Sequence, residues 1–368
     1  MNCKVLEVNV DDYLHGGVYQ LVTEWVRTFP ENIKIDIAAL EPFEDPEHIT
    51  TLKSQNCDVF YVGADINKIK KQKIIYNNIK ALIEREHYDV VHLHSDVAHK
   101  ILVSGLAAKR SGVKKIIFHS HANGVEGGHK KLRVLFHRMC AGMLKKVPAV
   151  HIATSKEAGQ WMFPGDDSFI VMPNGVDYDR YRFDGSVREK VKAELGFTDS
   201  LVLGFAGRFR EPKNPMYLLD ILENVVKTVP EARLLCIGEG DMKEEFERAA
   251  AQRGLSRYIV TMGVVDNLQD YYQAMDIMLM PSVFEGFGLV AVEAQASGTP
   301  VLASENIPAI TKISDLITYL PIGADDAALW SEEVTKLKGY IKKDVSDELS
   351  WEYDIRKMNG ELINIYTG

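Results

Sequence analysis

Short apolar runs alternate with segments of helical spacing along nearly the whole chain, and this alternation limits the fold more than any other feature. Apolar runs bounded by turn residues are typical of buried strands, and they form two series. The first series is 5–10, 33–40, 59–62, 90–93, 116–119, 151–154 and 169–172, and the second is 201–205, 233–237, 259–261, 277–280, 301–303 and 317–320. Strands that alternate with helices form parallel sheets with helices on both faces. We therefore expect an α/β protein with two doubly wound domains.

The length of 368 residues exceeds that of one ordinary domain. The turn-rich stretch 173–177, Pro-Asn-Gly-Val-Asp, falls between the two strand series. It predicts a first domain over 1–175, a linker over 176–190 and a second domain over 191–348. Segment 349–368 has apolar residues at helical spacing, which predicts a closing amphipathic helix.

Composition and sequence patterns narrow the class of protein further. The start of the chain, with Lys4 and Glu7 inside a strand pattern, is unlike a signal peptide, and no apolar run reaches the roughly 18 residues of a membrane span. We therefore expect a cytoplasmic protein. The four cysteines are scattered without a C-x-x-C pair, which favours reduced thiols over a metal site or a disulfide framework.

Two carboxylates that bracket a glycine turn are the strongest functional signal. Glu285 and Glu293 enclose Gly-Phe-Gly-Leu-Val-Ala-Val, directly after the predicted strand 277–280 and a Pro-Ser pair. Ligands of open α/β sheets bind at the carboxyl ends of strands. An unpaired charge in an apolar helix costs several kcal/mol, so Glu293 is expected to meet a ligand. The alternative is that Glu285 is a solvated loop residue and Glu293 a buried carboxylate satisfied within the protein.

The turn itself suits an anionic or hydroxyl-rich ligand, because glycines let a ligand approach the main chain and the first helical turn has free N–H groups. These residues are Gly286, Phe287, Gly288 and Leu289. Arg208 and Lys213 follow strand 201–205 and would lie at the same sheet edge. An arginine fork and a lysine charge can neutralise a diphosphate without a metal, although solvated surface charges are the ordinary alternative.

In the first domain, Gly16 and Gly17 open a helix after strand 5–10, a turn that suits close approach to phosphate although it lacks the G-x-G-x-x-G pattern. Strand 116–119 runs into His119-Ser120-His121. Most histidines in such positions are structural hydrogen-bonding residues. Asp177-Tyr178-Asp179 has the spacing of a metal-binding pair, but its place in the predicted linker favours turn chemistry instead.

The Glu-x7-Glu pattern with its Gly-Phe-Gly turn, preceded by an apolar strand and Pro-Ser, resembles the signature of the group 1 (family 4) glycosyltransferases. Two further stretches are similar to that family: Pro-Asn-Gly-Val-Asp at 173–177 and Gly-Arg-x4-Lys at 207–213. Members are retaining enzymes, many of them of the bacterial surface-polysaccharide type. The resemblance implies the GT-B fold: two Rossmann-like domains facing each other across a cleft, with 349–368 returning to the first domain.

The resemblance also implies roles for the candidate residues. Glu285 meets the donor sugar and Glu293 the ribose, while residues 286–289 offer amides to sugar and diphosphate. The remaining roles fall to Arg208 and Lys213 at the diphosphate, Gly16 and Gly17 over it, Gly238, Met262 and Val264 around the base, and His119, with His121 as the fallback, beside the sugar. No metal and no cofactor is required, since the nucleotide-sugar is a substrate.

Basic and apolar residues alternate through segment 127–147. Leu132, Phe136, Met139 and Met143 give one apolar helical face among lysines and arginines, which predicts peripheral docking to an anionic membrane at its inner face. The alternative is a solvated helix packed on its own domain.

The sequence thus predicts transfer of a sugar from a nucleotide diphosphate donor, with uridine as the expected base, to a saccharide or lipid-linked acceptor. No nucleic-acid partner is expected. A sugar-nucleotide 2-epimerase of the same architecture and a non-catalytic sugar-nucleotide binding protein are the alternatives.

Overall fold

The computed structural model describes residues 3–12, 17–65, 68–122, 124, 130–285 and 287–368. The chain divides into two compact units. The first comprises Met1–Gly175 and Arg356–Gly368, and the second comprises Val176–Ile355. Each unit contains its own parallel sheet with helices packed against it.

The first unit has a seven-stranded parallel sheet in the order β3-β2-β1-β4-β5-β6-β7. Its strands are β1 (Cys3–Val8), β2 (Ile33–Ala39), β3 (Val59–Tyr61), β4 (Val90–Ser95), β5 (Lys115–Ser120), β6 (Val150–Ala153) and β7 (Ile170–Val171). The helices between them are α1 (Gly17–Thr28), α2 (Pro46–Ser54), α3 (Lys68–Glu86), α4 (Ala98–Arg110), α5 (Lys130–Leu144) and α6 (Lys156–Met162). The strand order reverses between β1 and β4, which is where doubly wound sheets bind ligands.

The second unit has a six-stranded parallel sheet in the order β10-β9-β8-β11-β12-β13. Its helices are α7 (Tyr178–Tyr181), α8 (Gly185–Glu194), α9 (Pro215–Thr228), α10 (Lys243–Gln252), α11 (Leu268–Ala274), α12 (Leu289–Ala296) and α13 (Ala327–Leu337). Its strands are β8 (Leu201–Ala206), β9 (Ala232–Ile237), β10 (Ile259–Met262), β11 (Ile277–Met280), β12 (Val301–Ser304) and β13 (Ile317–Leu320). Here the strand order reverses between β8 and β11.

Burial on both faces of the central strands explains why the sequence shows continuous apolar runs rather than strict alternation. Every residue of β8 and of β11 is buried. Leu203 and Phe205 pack with one helix layer, whereas Val202 and Ala206 pack with the other. The predicted α/β class with two doubly wound domains is therefore confirmed.

The last helix, α14 (Ile355–Thr367), packs on the first unit. The side-chain amide of Asn359 donates to the hydroxyl of Thr28 at 2.9 Å. The ammonium of Lys115 donates to the carbonyl of Ile365 at 2.5 Å. A short 3-10 turn, Trp351–Tyr353, precedes the helix, so its first turn begins later than position 349.

Residues 176–190 differ from the predicted linker, because they belong to the second unit and form α7 and the start of α8. The carboxylate of Asp177 accepts hydrogen bonds from the amides of Asp179 and Arg180 at the start of α7. Asp184 caps α8 in the same way. Aspartate favours both turns and helix N-caps, and the composition alone does not separate the two. Among the described residues, no helix has both the length and the apolarity needed to cross a membrane.

Candidate active site

An ion pair joins the loops that follow β8 and β11. These strands are neighbours in the sheet, so their loops leave the same edge. The main-chain amide of Val283 donates to the carbonyl of Pro212 at 2.8 Å and holds the two loops together. Across this contact the ammonium of Lys213 pairs with Oε1 of Glu285. The structure thus brings together two predicted site residues that are 72 positions apart in sequence.

Glu285 is buried, with 8% of its surface exposed. The hydroxyl of Ser282 donates to the same carboxylate oxygen at 3.0 Å. Ser304, at the end of β12, in turn donates to the carbonyl of Ser282 at 2.6 Å. Three neighbouring strand ends therefore fix the position of this carboxylate, which argues against the alternative that it is a solvated loop residue.

Arg208 lies half-buried on the loop after β8, and main-chain contacts hold that loop against the end of β9. The amide of Phe209 donates to the carbonyl of Glu239 at 2.9 Å. Gly238 has φ of 136°, and a Cβ there would lie 2.1 Å from the carbonyl oxygen of Gly207. A glycine is therefore required at position 238 for this close approach. Gly238 and Arg208 share one sheet edge with the Lys213–Glu285 pair.

Glu293 is a buried carboxylate in α12 with tyrosine partners. The hydroxyl of Tyr272 donates to its Oε2 at 2.8 Å. Burial raises the pKa of Glu293, and the hydroxyls of Tyr272 and Tyr181 offset part of that rise. Its contacts match the alternative interpretation, in which Glu293 is a buried carboxylate that is satisfied by hydrogen bonds within the protein. Contact between Glu293 and a ribose stays a prediction.

The other donor-binding candidates of the second unit lie at strand and helix ends. Gly288 has φ of 88° and is the N-cap of α12, and Leu289 is the first residue of that helix. Met262 ends β10 half-buried, and Val264 beyond it is 40% exposed. Phe287 is buried, with its ring 6.1 Å from that of Tyr353. Because the ring packs inside the protein, Phe287 can contact a ligand only through its main chain.

Two predicted donor-binding residues, Gly16 and Gly286, lie outside the described residues. Gly17 is exposed at the start of α1.

His119 lies inside the sheet rather than at its edge. Strand β5 continues through Ser120, and His119 is fully buried. Burial and the neighbouring histidines hold its pKa well below the ordinary value. Side chains two positions apart point to the same face of a strand, so His121 follows on that face at the carboxyl edge, where it is half-buried. The fallback residue is therefore the histidine that reaches the edge of the first sheet.

Beneath these two histidines lies a buried polar cluster that the sequence reading did not identify. It contains Glu7 from β1, His92 and His94 from β4, and Tyr366 from α14. Two features of the sequence indicate this cluster. One is a carboxylate within an apolar strand, and the other is the pair of alternate histidines in His92-Leu93-His94, which share one face of β4.

One nitrogen each of His92, His94 and His119 lie within 4.8 Å of one another, which raises the question of a metal ion. The rings of His92 and His119 are parallel within 2°, with centroids 5.2 Å apart. Nε2 of His92 lies 3.2 Å from Nδ1 of His119. A zinc ion requires about 2.0–2.1 Å to each nitrogen. Two nitrogens on one tetrahedral zinc ion lie about 3.3 Å apart, so this spacing alone fits either a metal ion or a hydrogen bond. Both ring nitrogens of His92 and of His94 have hydrogen-bond partners within the protein, so a hydrogen-bond network accounts for the cluster.

Two family models match the chain. The glycosyltransferase family 4 model matches residues 15–180, and the glycosyl transferases group 1 model matches residues 200–338. EpsF of Bacillus subtilis, a predicted glycosyltransferase, is 27% identical over 95% of this chain and 93% of its own length. The UDP-Gal:α-D-GlcNAc-diphosphoundecaprenol α-1,3-galactosyltransferase of Escherichia coli is 24% identical over 65% of this chain and 63% of its own length.

Solved structures share the fold at low sequence identity. HepE from Anabaena, in complex with UDP and glucose, aligns with a TM-score of 0.80 and 17% identity over 99% of both chains. A Listeria monocytogenes protein, predicted to be a UDP-N-acetylglucosamine 2-epimerase, aligns with a TM-score of 0.67 and 14% identity over 99% of this chain and 95% of its own.

The two Rossmann-like units are those of a GT-B enzyme, and the predicted fold is confirmed. The chain belongs to the group 1/family 4 glycosyltransferases, as its Glu-x7-Glu pattern predicts.

Proposed function

We propose that this glycosyltransferase moves a sugar from a uridine diphosphate donor to a saccharide or lipid-linked acceptor, with retention of configuration, in polysaccharide or glycoconjugate synthesis. The observation that carries the proposal is the Lys213–Glu285 pair at the point where the strand order of the second sheet reverses. Two comparisons support it: HepE binds UDP and glucose, and the E. coli relative is named for a UDP-sugar donor and a lipid diphosphate acceptor.

The chemistry assigned to these residues follows from where charge develops. As the sugar leaves, negative charge accumulates on the diphosphate, and Arg208 and Lys213 provide fixed positive charge to stabilise it. Before the donor binds, Glu285 balances the charge of Lys213. In the complex Lys213 turns to phosphate, and the Glu285 carboxylate accepts hydrogen bonds from sugar hydroxyls. The main chain at Gly288 and Leu289 presents the amino end of α12 to the same anion.

Replacement of Arg208, Lys213 or Glu285 by alanine tests the site. Each substitution is expected to lower kcat/KM for transfer ~100-fold, the usual loss for a preorganised charge contact. Arg253→Ala is the matched control, because it removes a surface ion pair to Asp220 of 2.6 Å in the same unit. Transfer at the wild-type rate by all three site variants would refute the assignment.

Product analysis separates the alternatives. With a panel of UDP-sugars, UDP release that depends on an acceptor supports transfer, and NMR of the new glycosidic bond reports retention or inversion. A new sugar epimer without an acceptor would support an epimerase, the function predicted for the Listeria protein that shares the fold. Binding of the donor without either product would indicate a non-catalytic protein.

We further propose that α5 docks the enzyme on an anionic membrane. Five large apolar side chains of α5 are solvent-exposed by 39% to 68%: Leu132, Leu135, Phe136, Met139 and Met143. The helix packs on its own unit through another row, which includes His137, Cys140 and Leu144. The apolar row of α5 is therefore exposed to solvent. In the alternative interpretation, that face would be packed on its own domain. Residues 127–129 of the predicted segment 127–147 lie outside the described part.

Basic residues line this exposed apolar row. Lys131 and Arg138 are exposed and seven positions apart, so they follow one line along α5, and the exposed Lys145 comes directly after the helix. The spacing of 100° per residue places that line beside the row that begins at Leu132. Apolar insertion flanked by positive charge is the arrangement that binds anionic lipid surfaces.

Flotation with vesicles tests the docking proposal. We expect the protein to float with equimolar phosphatidylglycerol and phosphatidylcholine at low salt, to float less at high salt, and to stay unbound with phosphatidylcholine alone. Phe136→Ser with Met139→Ser is expected to abolish flotation, whereas Leu329→Ser, which removes a side chain of 41% exposure on α13, leaves it unchanged. No flotation at either salt concentration, or dimers that the double substitution dissociates, would refute membrane docking.

A further inference from the structure

We propose that Glu7 is a positioning residue that acts through His94: it fixes the ring proton of His121 on Nε2 and leaves Nδ1 of His121 as a hydrogen-bond acceptor at the edge of the first sheet. The inference deepens the proposed function. It rests on that function only for the step in which His121 meets the donor sugar.

The contacts form a continuous chain across two strands. Oε2 of Glu7 lies 2.7 Å from Nε2 of His94. Nδ1 of His94 lies 2.9 Å from Nε2 of His121. Glu7 and His94 are fully buried, while His121 is half-buried beyond the end of β5. A group in the interior is thereby linked to the sheet edge by two hydrogen bonds.

The positions of the protons follow from the charge of Glu7. Burial raises the pKa of Glu7, but contacts with His92 and His94 outweigh it and bring the pKa to about 2. The ionised carboxylate can only accept hydrogen bonds, so Nε2 of His94 is the donor. Burial lowers the pKa of His94 to about 4, which leaves the ring neutral at pH 7 with a single proton. Nδ1 of His94 is then a bare acceptor.

The proton of His121 is fixed by its contact with His94. Because Nδ1 of His94 accepts, Nε2 of His121 must carry the proton. Burial and the neighbouring histidines hold the pKa of His121 well below its ordinary value, so its ring is neutral at pH 7. Nδ1 of His121 is therefore left as an acceptor, suited to a sugar hydroxyl.

A second branch holds Glu7 in place. The hydroxyl of Tyr366 donates to Oε1 of Glu7 at 2.6 Å. Its oxygen then accepts from Nδ1 of His92 at 2.7 Å, and that nitrogen also lies 3.2 Å from Oε2 of Glu7. The ring of Trp25 in α1 covers His92 and His94 at centroid distances of 5.7 and 5.9 Å. His119 extends this branch, and its Nε2 has no partner among the described residues.

Glu7→Gln is expected to reverse the protons without changing the shape of the side chain. The amide oxygen keeps the bond from Tyr366, and the amide N–H donates to Nε2 of His94. His94 then carries its proton on Nδ1 and donates to Nε2 of His121, whose own proton moves to Nδ1. Tyr366→Phe is the matched control, because it removes a bond to the same carboxylate but leaves the acceptor that faces His94.

NMR of protein labelled with 15N-histidine reads the tautomers without any substrate, and loss of one signal set in His121→Asn identifies His121. We expect the proton on Nε2 in the wild type and in Tyr366→Phe, and on Nδ1 in Glu7→Gln. A proton on Nδ1 of His121 in the wild type, or no change in a folded Glu7→Gln protein, would overturn the proposal. The wild-type measurement stands even where the variant does not fold.

Kinetics test the functional step separately. With the proton moved, we expect kcat for transfer to fall ~10-fold or more, with a smaller change in Tyr366→Phe. A reversed tautomer with unchanged kcat would show that His121 does not depend on Glu7 for transfer, and would overturn that part. Absence of any transfer by the wild type would refute the proposed function, whereas the tautomer of His121 would still be measured.

Discussion

The hydroxyl of Tyr366, in the last helix, donates a hydrogen bond of 2.6 Å to the carboxylate of Glu7, in the first strand. Both residues are buried, and 359 positions separate them in sequence. Burial and the charge of Glu7 hold the pKa of Tyr366 well above its ordinary value, so the phenol keeps its proton and remains the donor.

Tyr366→Phe should weaken the first unit. Loss of a hydrogen bond to a buried charge is expected to lower the free energy of opening by ~1–3 kcal/mol. Hydrogen exchange of the amides in β1 and β4 measures it. Tyr61→Phe is the control, because Tyr61 is 49% exposed and should leave exchange unchanged. Equal protection in wild type and Tyr366→Phe would contradict the role assigned to this bond.

Stability should fall as the pH decreases below 6.5. The pKa of His94 is about 4 in the folded protein and 6.5 in the unfolded chain, so the unfolded chain takes up a proton over this range and the folded protein does not. The contribution of His94 to the free energy of unfolding is complete above pH 6.5 and decreases by ~2 kcal/mol by pH 5. Glu7 adds a further loss below pH 4.5, since its folded pKa is about 2.

Urea unfolding at pH 7, 6 and 5 measures this dependence. The quantity compared between variants is the slope of the free energy of unfolding against pH, not the free energy itself. His94→Asn should flatten the slope. His87→Asn, at an exposed position, should leave it unchanged. A slope that is identical in wild type and His94→Asn would refute the assignment to His94.

Glu293→Gln should lower affinity for UDP without unfolding the second unit. The amide oxygen can still accept from Tyr272, so the core contact is kept. An amide NH2 replaces one carboxyl oxygen, which removes an acceptor for ribose hydroxyls, and affinity is expected to decrease ~10-fold or more. Calorimetric titration with UDP measures it, and Glu332→Gln, on the exposed side of α13, is the control. Unchanged affinity would leave Glu293 with a purely structural role.

Transfer should not need a divalent metal, since Arg208 and Lys213 supply positive charge at the diphosphate. We expect the wild-type rate to persist in EDTA and to be unchanged by added Mg²⁺ or Mn²⁺. A rate that is lost with EDTA and restored by a metal ion would show that the two cations are insufficient.

Sequence patterns predicted those features that depend on local order. The alternation of strands and helices predicted parallel sheets, and the rule that parallel strands end at one edge predicted that Lys213 and Glu285 lie at one place. The strand bounds differ by a few residues, because the ends of strands depend on their neighbours in the sheet. His119 is an example of the effect of such a difference. Strand β5 extends one residue beyond the predicted end, so His119 lies in the interior of the sheet.

The buried cluster could not be predicted in this way, since its bonds join Glu7, His94 and Tyr366 over long separations that leave no periodic pattern. Helix α5 shows a different limit. It has apolar residues on two adjoining rows, and periodicity does not decide which row packs. His137, Cys140, Ala141 and Leu144 pack against the unit, whereas Leu132, Leu135, Phe136, Met139 and Met143 face solvent.

The docking of α14 on the first unit has a consequence for biosynthesis. A ribosome releases Glu7, β4 and β5 long before it reaches Tyr366, and domains generally fold in the order of their synthesis. Until the second sheet has been translated, the carboxylate of Glu7 in the nascent first sheet therefore lacks its hydrogen bond from Tyr366. Synthesis of the helix that carries Tyr366, rather than completion of the first sheet, is therefore the event that closes the earliest part of the molecule.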